Sequence, residues 1–323
     1  MKKTLLIAMG MVLVVAGTVP MALAQEIAVC YVPGSHSSIQ SAVDDHTCAT
    51  IVVGPGNWAG ATVHRSVEIR GEGKAVIDDG PNSHSFLRAG FLFPGGGAGS
   101  GTTIRGLEFQ GTPQFGYTDD GHLDFPIFSR GAYNVAVRGN VFTNSLQAIT
   151  NWSGSGWSIE HNTIEGLWTL NGGGIGILMG ERSGGSINNN TVAHNKVTGT
   201  LNVWSGDGGG YCGTGIVLYA DFRWGAPGAS AISSNSVVKN TVSLVSDTPA
   251  VVDVVAIELT DTRDDSAGNP VIFGNAVGFN DLRGTQTGIV LTPANLDEVN
   301  DISRNLGDNR GQGLHPSLFG PGG

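Results

Sequence analysis

Two short hydrophobic phrases alternate along most of the chain. The first places one apolar residue three positions before an asparagine and another two positions after it, as in Ser158–Ile164 and Ser186–Val192. A short strand with one apolar face cannot bury that face alone, so successive copies must stack. We therefore predict a coiled chain in which these asparagines share one equivalent turn; they are Asn140, Asn162, Asn190, Asn235, Asn275 and Asn305.

The asparagines are interpreted as structural residues. Asparagine tolerates the left-handed backbone of a sharp turn, and stacked amide side chains can hydrogen-bond from one coil to the next. A second asparagine follows in several copies of the phrase, at Asn144, Asn195, Asn240, Asn280 and Asn309.

The second phrase predicts another sheet. It occurs once per coil, at Gly176–Met179, Gly215–Leu218, Ala256–Leu259 and Gly288–Leu291. We expect two inward stacks from it. One stack is Ile177, Ile216, Ile257 and Ile289, and the other is Met179, Leu218, Leu259 and Leu291.

The N-terminal part contains the one convincing helical stretch, Ser37–Asp45. Ser37 can serve as its N-cap, and Ile39, Ala42 and Val43 fall on one face. Short strands are predicted after it, the first of which ends in a Pro-Gly turn. These strands are Thr50–Gly56, Thr62–His64, Ser66–Arg70 and Val76–Asp78.

This order of a helix, a strand ending in Pro-Gly and the recurring asparagine phrase resembles right-handed parallel β-helix proteins of the pectate-lyase-like group. The resemblance covers roughly residues 37–313. It implies an all-β, single-stranded solenoid of about eight coils, roughly 35–40 Å long at the spacing of paired strands. The expected division is an N-terminal cap at 25–48, the β-helix at 49–313 and a flexible tail at 314–323. The motifs that carry the resemblance are structural and name no activity.

The chain opens with a predicted secretory signal peptide over residues 1–24. Lys2 and Lys3 precede an apolar run from Leu5 to Val19, and Ala22 and Ala24 occupy the small-residue positions of a cleavage site. The run is short for a membrane span. We expect cleavage near Ala24 and a secreted protein, extracellular or periplasmic, with no stable membrane insertion.

Charge and cysteine content agree with export. The formal net charge is −10, and it becomes about −12 once the two leader lysines are removed, which argues against nucleic acid as a partner. A disulfide between Cys30 and Cys48 is plausible in an exported protein. Cys212 is then left over, either as a buried thiol or as a reactive one.

Acidic and basic residues recur just after the second phrase on three successive coils. Glu181 and Arg182 follow Met179, and other such residues follow Leu218 and Leu259. Stacking should bring them within about 5 to 10 Å of one another. The later members are Asp221, Arg223, Asp261, Arg263, Asp264 and Asp265, with Tyr219, Trp224 and Trp204 as aromatic neighbours and Glu258 pointing outward.

This pattern has a functional and a structural interpretation. In the first, Asp221, Asp261 and Asp264 bind Ca²⁺ through oxygen ligands, Arg223 or Tyr219 abstracts a proton beside a uronate carboxyl, and calcium neutralises that carboxyl, as the resemblance implies for lyases. Alternatively, two carboxylates such as Asp221 and Asp261 hydrolyse a glycoside as acid and base. Glu181, Arg182, Trp224, Glu258 and Arg263 are the candidate substrate-binding residues. In the structural interpretation the charges form a ladder of exposed salt bridges of little energetic value.

Other motifs give less evidence about function. The segment 119–124 reads Asp-Asp-Gly-His-Leu-Asp and resembles segments of polygalacturonase-type hydrolases, but the Asn-Thr-Asp and Arg-Ile-Lys segments of those enzymes do not occur. The sequence also lacks the arginine and histidine motifs of pectate lyases and the esterase motifs of pectin methylesterases. Its histidines show no zinc-ligand spacing.

The sequence therefore predicts a secreted β-helix, expected to be monomeric, that binds or processes a polysaccharide or cell-surface glycan. A calcium-assisted uronate lyase is the favoured enzyme, ahead of a hydrolase, and no cofactor other than Ca²⁺ is implied. The alternative is a non-catalytic structural or adhesive surface protein.

Overall fold

The computed structural model describes residues 28–81, 88–112, 123–169, 174–182, 184–203, 213–222, 231–248, 253–263 and 271–312. Within these residues the chain is a parallel β-helix, since each coil adds one strand to each of several sheets and the strand pairs are parallel. Parallel crossovers take the right hand in nearly all proteins. Strands are numbered below in chain order.

Three long sheets form the sides of the coil. Sheet 1 contains β1 Ala28–Val32, β2 Cys48–Val53, β5 Glu68–Gly71, β8 Thr103–Arg105, β11 Ala136–Arg138, β14 Ser158–Glu160, β18 Thr191–Ala193, β22 Ser236–Val238, β26 Ala276–Gly278 and β28 Asp301–Ser303. Sheet 2 contains β3 Gly56–Ala59, β6 Ala75–Asp79, β9 Glu108–Gln110, β12 Val141–Ser145, β15 Thr163–Thr169, β19 Lys196–Val203 and β23 Thr241–Ser246. Sheet 3 contains β4 Ala61–Thr62, β7 Ala89–Phe93, β10 Phe125–Arg130, β13 Gln147–Trp152, β16 Ile175–Glu181, β20 Thr214–Ala220, β24 Val255–Asp261, β27 Thr287–Thr292 and β29 Arg310–Gln312.

The later coils carry an additional short sheet. Sheet 4 contains β17 Ser186–Asn188, β21 Ala231–Ser233 and β25 Ile272–Phe273. It lies between sheet 3 and sheet 1 along the chain, so each of these coils turns one corner more than the earlier coils do. The two sequence phrases predicted two sheets, whereas the described residues form four. The number is larger because each asparagine turn bends the chain into a new sheet.

The isoleucine and leucine stacks of sheet 3 are confirmed. Ile177, Ile216, Ile257 and Ile289 are register partners across successive strands, as are Met179, Leu218, Leu259 and Leu291. Both stacks belong to the main core between the sheets. Burying such side chains supplies the main driving force for stacking the coils.

The asparagines form two ladders rather than the single one expected. In the first ladder each side-chain amide donates to the Oδ1 atom of the next asparagine at 2.9–3.1 Å. Its members are Asn140, Asn162, Asn195, Asn240, Asn280 and Asn305. The second ladder consists of Asn190, Asn235, Asn275 and Asn300. Asn144 and Asn309 belong to neither.

The register expected from the sequence phrases is therefore wrong at two steps, from Asn162 to Asn190 and from Asn275 to Asn305. The phrase Ser158–Ile164 matches Ser186–Val192 by residue type, but Ser158 pairs with Thr191 and Thr163 pairs with Lys196. The phrase around Asn190 instead contains the extra sheet 4 strand and its corner. A residue-type match cannot distinguish the two corners, because both need a buried asparagine after a short strand.

The left-handed residue at each corner precedes the asparagine. His161, His194 and Lys239 have φ angles of 56°, 57° and 58°, while the asparagines that follow them are buried. The expectation that asparagine itself takes the left-handed backbone is therefore incorrect for the ladder asparagines, although Asn144 does so with a φ angle of 49°. The asparagine is needed for its hydrogen bonds, which satisfy buried backbone groups of the neighbouring coil.

The helix α1 spans Ile39–Asp44 and packs on the first strands of the solenoid. Its N-cap is Ser38 rather than Ser37, since the Ser38 hydroxyl accepts the Ser41 N–H at 3.1 Å and Ser41 Oγ accepts the Ser38 N–H at 3.3 Å. Ile39, Ala42 and Val43 are buried, as expected. A disulfide joins Cys30 and Cys48, which confirms that prediction.

No helix among the described residues is long and apolar enough to span a membrane. The predicted signal peptide, the C-terminal tail from 313 and Cys212 lie outside the described residues. Export, cleavage near Ala24, the domain division and the monomeric state remain predictions.

Candidate functional site

The outward face of sheet 3 is defined by two rows of register partners. One row reads Leu92, Phe128, Thr150, Leu178, Val217, Glu258 and Val290 across successive strands. The other reads Arg130, Trp152, Gly180, Tyr219, Thr260 and Thr292. Alternation along the strands places both rows opposite the main core.

Apolar and aromatic side chains cover much of this face. Phe128 clusters with Leu92, Phe125, Leu146 and Trp168, while Tyr219 clusters with Ile175, Leu178 and Val217. Trp152 packs against both clusters and is itself half-buried. We call this the outer face. Glu258 points outward as expected, but it is 0% exposed, and Tyr219 is only 3% exposed.

Trp152 and Tyr219 lie close because the residue between their strands is a glycine. Their ring centroids are 5.9 Å apart with planes inclined at 56°. Gly180 is the register partner of both residues. A Cβ at Gly180 would lie 2.5 Å from a Trp152 ring carbon, which is closer than van der Waals contact allows.

Two arginines lie on the aromatic rings of the outer face. The Arg182 guanidinium is 5.0 Å from the Trp152 ring centroid, and that of Arg130 is 5.6 Å from the Phe128 centroid. Desolvation lowers the pKa of Arg182, as does the nearby positive charge of Arg130, whereas Asp221 and Glu181 oppose this shift. Like charges disfavour each other most where water is excluded, so the arginine pair favours an anion beside it.

Two hydrogen-bond donors of the outer face have no partner among the described residues. They are the Arg130 Nε–H and the indole N–H of Trp168, and neither atom is accessible to water. Leaving such a donor unpaired costs about 1–3 kcal/mol. Buried donors beside half-buried aromatic rings suit a ligand that brings several oxygen acceptors.

Glu258 is a buried carboxyl held by two threonines. Thr260 Oγ1 donates to its Oε1 at 2.6 Å, and Thr214 Oγ1 donates to its Oε2 at 3.1 Å. Burial raises the pKa of Glu258 to about 7, although the two hydroxyl hydrogen bonds favour the charged form. Glu258 can therefore hold a proton near neutral pH.

Asp124 is a second carboxyl with a raised pKa. Burial raises its pKa to about 6, against the opposing effect of the Arg88 charge. It directly precedes β10, at the start of the outer face. The first four residues of the segment 119–124 lie outside the described residues.

The acidic residues at the end of the sheet 3 strands lie at one corner. Glu181 and Asp261 each pair in register with Ala220, and Asp221 follows Ala220. Ala220 belongs to the main core, so this row faces inward. All three carboxylates are nearly inaccessible, with exposed fractions of 0% for Glu181, 3% for Asp221 and 2% for Asp261.

Two of these carboxylates stabilise the turns that follow them through hydrogen bonds. Glu181 Oε1 accepts the backbone N–H groups of Arg182 and Gly185 at 3.0 and 3.2 Å. Asp261 accepts the Arg263 backbone N–H at 3.0 Å and its guanidinium at 2.6 Å. Arg263 in turn lies 4.9 Å above the Phe222 ring. Asp261 and Arg263 therefore form a largely buried ion pair within one turn, which differs from the ladder of exposed salt bridges in the structural interpretation.

The remaining candidate residues cannot be placed. Arg223, Trp224, Trp204, Asp264 and Asp265 lie outside the described residues. The catalytic and calcium-binding roles of Tyr219, Asp221, Asp261 and their neighbours therefore remain predictions. Within the described part of the chain, the corner at Glu181 and Asp261 is not among the groups that bring three potential metal ligands together.

Several residues of the outer face were missed by sequence reasoning. Trp152 ends a strand that contains Ala-Ile-Thr-Asn-Trp. This is a copy of the second phrase in which Asn151 occupies the position of Met179. Arg130 occupies the same position one strand earlier. Aligning these strands on the Ile177 row would have identified both residues.

The similarity of this chain to known proteins is remote. No protein-family model matches the chain, and no curated protein matches it. Solved structures that match include a variant of the catalytic domain of a GH87 alpha-1,3-glucanase in complex with tetrasaccharides, at 16% identity and a TM-score of 0.35. That match covers 88% of this chain and 58% of the glucanase domain.

Two further matches are of the same kind. A second variant domain with tetrasaccharides is 14% identical, with 90% of this chain and 68% of that domain covered and a TM-score of 0.35. A GH87 domain in complex with nigerose has the same identity and coverage and a TM-score of 0.32. At these values the matches assign no function, and the chain spans 58% of the length of the first domain.

Proposed function

We propose that the outer face of sheet 3 binds an acidic polysaccharide. The observation that carries the proposal is the pair formed by Arg182 and Arg130, two half-buried guanidinium groups that repel each other beside Trp152. A uronate carboxylate beside the two guanidinium groups would relieve the repulsion and accept hydrogen bonds from them. Charge-assisted hydrogen bonds of this kind are roughly twice as strong as neutral ones.

The aromatic side chains suit a sugar ring in the same place. Trp152 offers a half-exposed indole with arginine on one side, and sugars pack their apolar faces on such rings. The ligand class is therefore a polymer that carries both hydroxyl and carboxylate oxygens.

Binding can be tested with polygalacturonate as the acidic polymer and dextran as the neutral control. Arg182→Gln should weaken polygalacturonate binding at least about tenfold, the effect of losing one hydrogen bond between charged groups. Arg138→Gln is the matched control, because Arg138 is exposed on sheet 1 and pairs with Glu160 at 3.5 Å. Equal losses in the two variants, or no binding of either polymer, would leave the structural or adhesive alternative.

A second candidate function is glycoside hydrolysis with Glu258 as general acid. A carboxyl whose pKa lies near 7 is protonated at the pH where such an acid must donate. Asp221 is the remaining candidate for the second carboxylate, because Asp261 belongs to a row that faces inward. Because Glu258 has no exposed surface, this function requires the outer face to open when substrate binds, so binding is the primary proposal.

A lyase would use two residues that lie outside the described part of the chain, Arg223 and Asp264. Arg223 or Tyr219 would abstract the proton, and Ca²⁺ held by Asp221, Asp261 and Asp264 would neutralise the uronate carboxyl. Incubation with polygalacturonate, with and without Ca²⁺, distinguishes the enzymes. Unsaturated product absorbing in the ultraviolet indicates a lyase, reducing ends without it indicate a hydrolase, and neither product indicates a binding protein.

The proposed location is outside the cytoplasm. The disulfide between Cys30 and Cys48 supports this location, because such bonds persist in oxidising compartments. N-terminal sequencing of the mature protein should begin near Gln25. An intact N-terminus in the cell-free medium or periplasm would contradict the predicted cleavage.

A further inference from the structure

Four potential metal ligands surround the N-terminal disulfide. They are Cys30 on β1, His36 in the turn after β1, Asp45 at the end of α1 and Cys48 at the start of β2. One ligand atom from each lies within 4.8 Å of the others. We call this group the N-terminal cluster. It lies on β1 and β2, at the edge of sheet 1 farthest from β28.

The distances in the N-terminal cluster match a tetrahedral zinc ion. His36 Nε2 is 3.2 Å from Asp45 Oδ2 and 3.9 Å from Cys48 Sγ. Around zinc, with bonds of about 2.0 Å to nitrogen and oxygen and about 2.3 Å to sulfur, these separations are about 3.3 and 3.6 Å. The His36–Asp45 and His36–Cys48 separations would therefore change by only a few tenths of an ångström.

The cysteines also suit this geometry once they are no longer bonded. Their Cα atoms are 5.5 Å apart. Two thiolates on one tetrahedral zinc ion lie about 3.8 Å from each other. Small side-chain rotations reach that separation from the disulfide, so the backbone of β1 and β2 need not move apart.

Neighbouring groups already orient the two other ligands. His36 Nδ1 lies 3.0 Å from Ser35 Oγ, which leaves Nε2 facing Asp45 and Cys48. Outer partners of this kind fix the ring orientation of metal-binding histidines. Asp45 Oδ1 accepts the Thr47 N–H at 2.9 Å and its hydroxyl at 2.7 Å. These bonds hold the carboxylate with Oδ2 facing His36.

We propose that reduction of the Cys30–Cys48 disulfide converts the N-terminal cluster into a zinc site with Cys30, His36, Asp45 and Cys48 as ligands. The disulfide and the metal are alternative cross-links of the same segments, which surround α1. The Asp45 side chain is 38% exposed and that of His36 is 15% exposed, so an ion can enter from that side. No step of the proposed polysaccharide binding involves this end of the chain.

The chemistry balances with a phosphine as reductant. The phosphine takes up an oxygen atom from water and becomes a phosphine oxide, while the S–S bond breaks and the two water protons leave two thiols. Zinc then binds both sulfurs as thiolates and releases two protons. Binding should therefore weaken as pH falls, since protons and zinc compete for the same atoms.

Cobalt(II) provides the first test. The phosphine-reduced wild-type protein should bind one Co²⁺ per chain and show the visible bands of a tetrahedral ion together with thiolate charge-transfer absorption. Zn²⁺ should displace the cobalt. The oxidised protein should show neither absorption, and the same result from the reduced protein would overturn the proposal.

Variants identify the ligands. Cys30→Ser and His36→Ala should each weaken zinc binding by more than about tenfold, since even outer partners of a metal ligand cost that much. His64→Ala is the matched control, because His64 lies 3.8 Å from Asp44 and outside the cluster. Cys212→Ser should also retain binding. Equal affinity in the cluster variants and the controls would contradict the assignment.

Thermal unfolding provides a readout that does not depend on spectra. Reduction should lower the unfolding midpoint of the wild-type protein, and Zn²⁺ should restore it, whereas a chelator should abolish the restoration. Cys30→Ser should show no zinc effect under the same conditions. Should the reduced protein unfold and zinc fail to refold it, the site does not exist.

Discussion

The imidazole rings of His161 and His194 stack on successive coils, with centroids 4.9 Å apart and planes inclined by 9°. Each ring precedes a member of the first asparagine ladder, Asn162 and Asn195. The stack therefore shows which corners are equivalent. It also shows that the coil between them contains 33 residues, more than the 22 that separate Asn140 from Asn162, because the extra strand of sheet 4 begins there.

The ladder predicts a large cost for removing one amide. Asn195 donates to Asn240 Oδ1 and to the Ile159 carbonyl, and it accepts from the backbone and side chain of Asn162. Asn195→Ala leaves several of these buried groups unpaired, so the free energy of unfolding should fall by about 3 kcal/mol or more. Denaturant titration measures the loss.

A control for the ladder is Asn202→Ala. Asn202 lies on β19 and its side chain makes one long hydrogen bond, at 3.4 Å to the Leu167 carbonyl. We expect a loss below about 1 kcal/mol. A similar loss in both variants would mean that the ladder stabilises the fold no more than an ordinary surface amide does.

The left-handed corners predict a stabilising substitution. Lys239 is exposed with a φ angle of 58°, and glycine adopts that conformation without a steric penalty. Lys239→Gly should therefore raise the free energy of unfolding by up to about 1 kcal/mol. Gly139 holds the same corner with a φ angle of 61° and open space around it, so Gly139→Ala should lower stability by a similar amount.

Lys196→Gly is the control for the corner. Lys196 begins β19, which is extended backbone, and its side chain is exposed. Glycine in a strand costs about 0.5–1 kcal/mol. Opposite signs for the two lysine variants would support the corner assignment, and a loss in both would refute it.

Glu258 predicts a pH-dependent stability. Its pKa is raised from 4.5 to about 7 in the folded protein, so the folded state binds a proton more tightly than the unfolded state does. The stabilisation is complete below about pH 4.5 and is lost as pH rises through 7. The shift corresponds to a contribution on the order of 3 kcal/mol.

Glu258→Gln removes this titration while keeping the size of the side chain. The variant should gain stability relative to the wild type between pH 5 and 8, as measured by denaturant titration at each pH. Glu165→Gln, at an exposed position of β15, should leave the wild-type profile unchanged. Parallel profiles for the wild type and Glu258→Gln would show that Glu258 does not carry the raised pKa.

Gly180 predicts a coupling with Trp152. The Cβ of alanine at Gly180 would lie 2.5 Å from one carbon of the indole ring and 2.8 Å from another. Gly180→Ala should therefore destabilise the protein by about 1–3 kcal/mol, the usual cost of overpacking. In a Trp152→Ala background the same substitution should cost much less, because the ring is gone.

A double-mutant cycle measures that coupling. The interaction energy between the two sites should exceed about 0.5 kcal/mol, as for residues in contact. Additive effects would place the Trp152 ring elsewhere and would weaken the proposed ligand site on the outer face.

The fold was predictable because each coil repeats the same physical requirement. Apolar residues recur at the positions of Ile177 and Met179 on the following strands. A strand with one apolar face can bury that face only against its neighbours. The Cys30–Cys48 pairing was predictable for a similar local reason. The register around Asn190 was not, because Asn190 and Asn195 serve equally well as corner residues.

The candidate site was predictable only in part. Glu181 and Asp261 do share a row, as their positions after the second phrase indicated. Their burial, and the bond between Asp261 and Arg263, depend on which way the strand end points. Arg130 and Trp152 follow degenerate copies of the second phrase, so they are found only once those strands are aligned with the Ile177 row.

By itself the sequence determined that this chain forms stacked parallel coils, which inward residues fill them and where the N-terminal cross-link lies. The coils and their inward residues follow from periodic burial, which is a local property repeated along the chain. The cross-link follows from two cysteines close in sequence in a protein predicted to be exported. Tertiary structure decided that Arg130, Trp152 and Arg182 meet on one face, and that His36 and Asp45 surround the disulfide. Such meetings depend on the register between strands far apart in sequence, which insertions of variable length conceal.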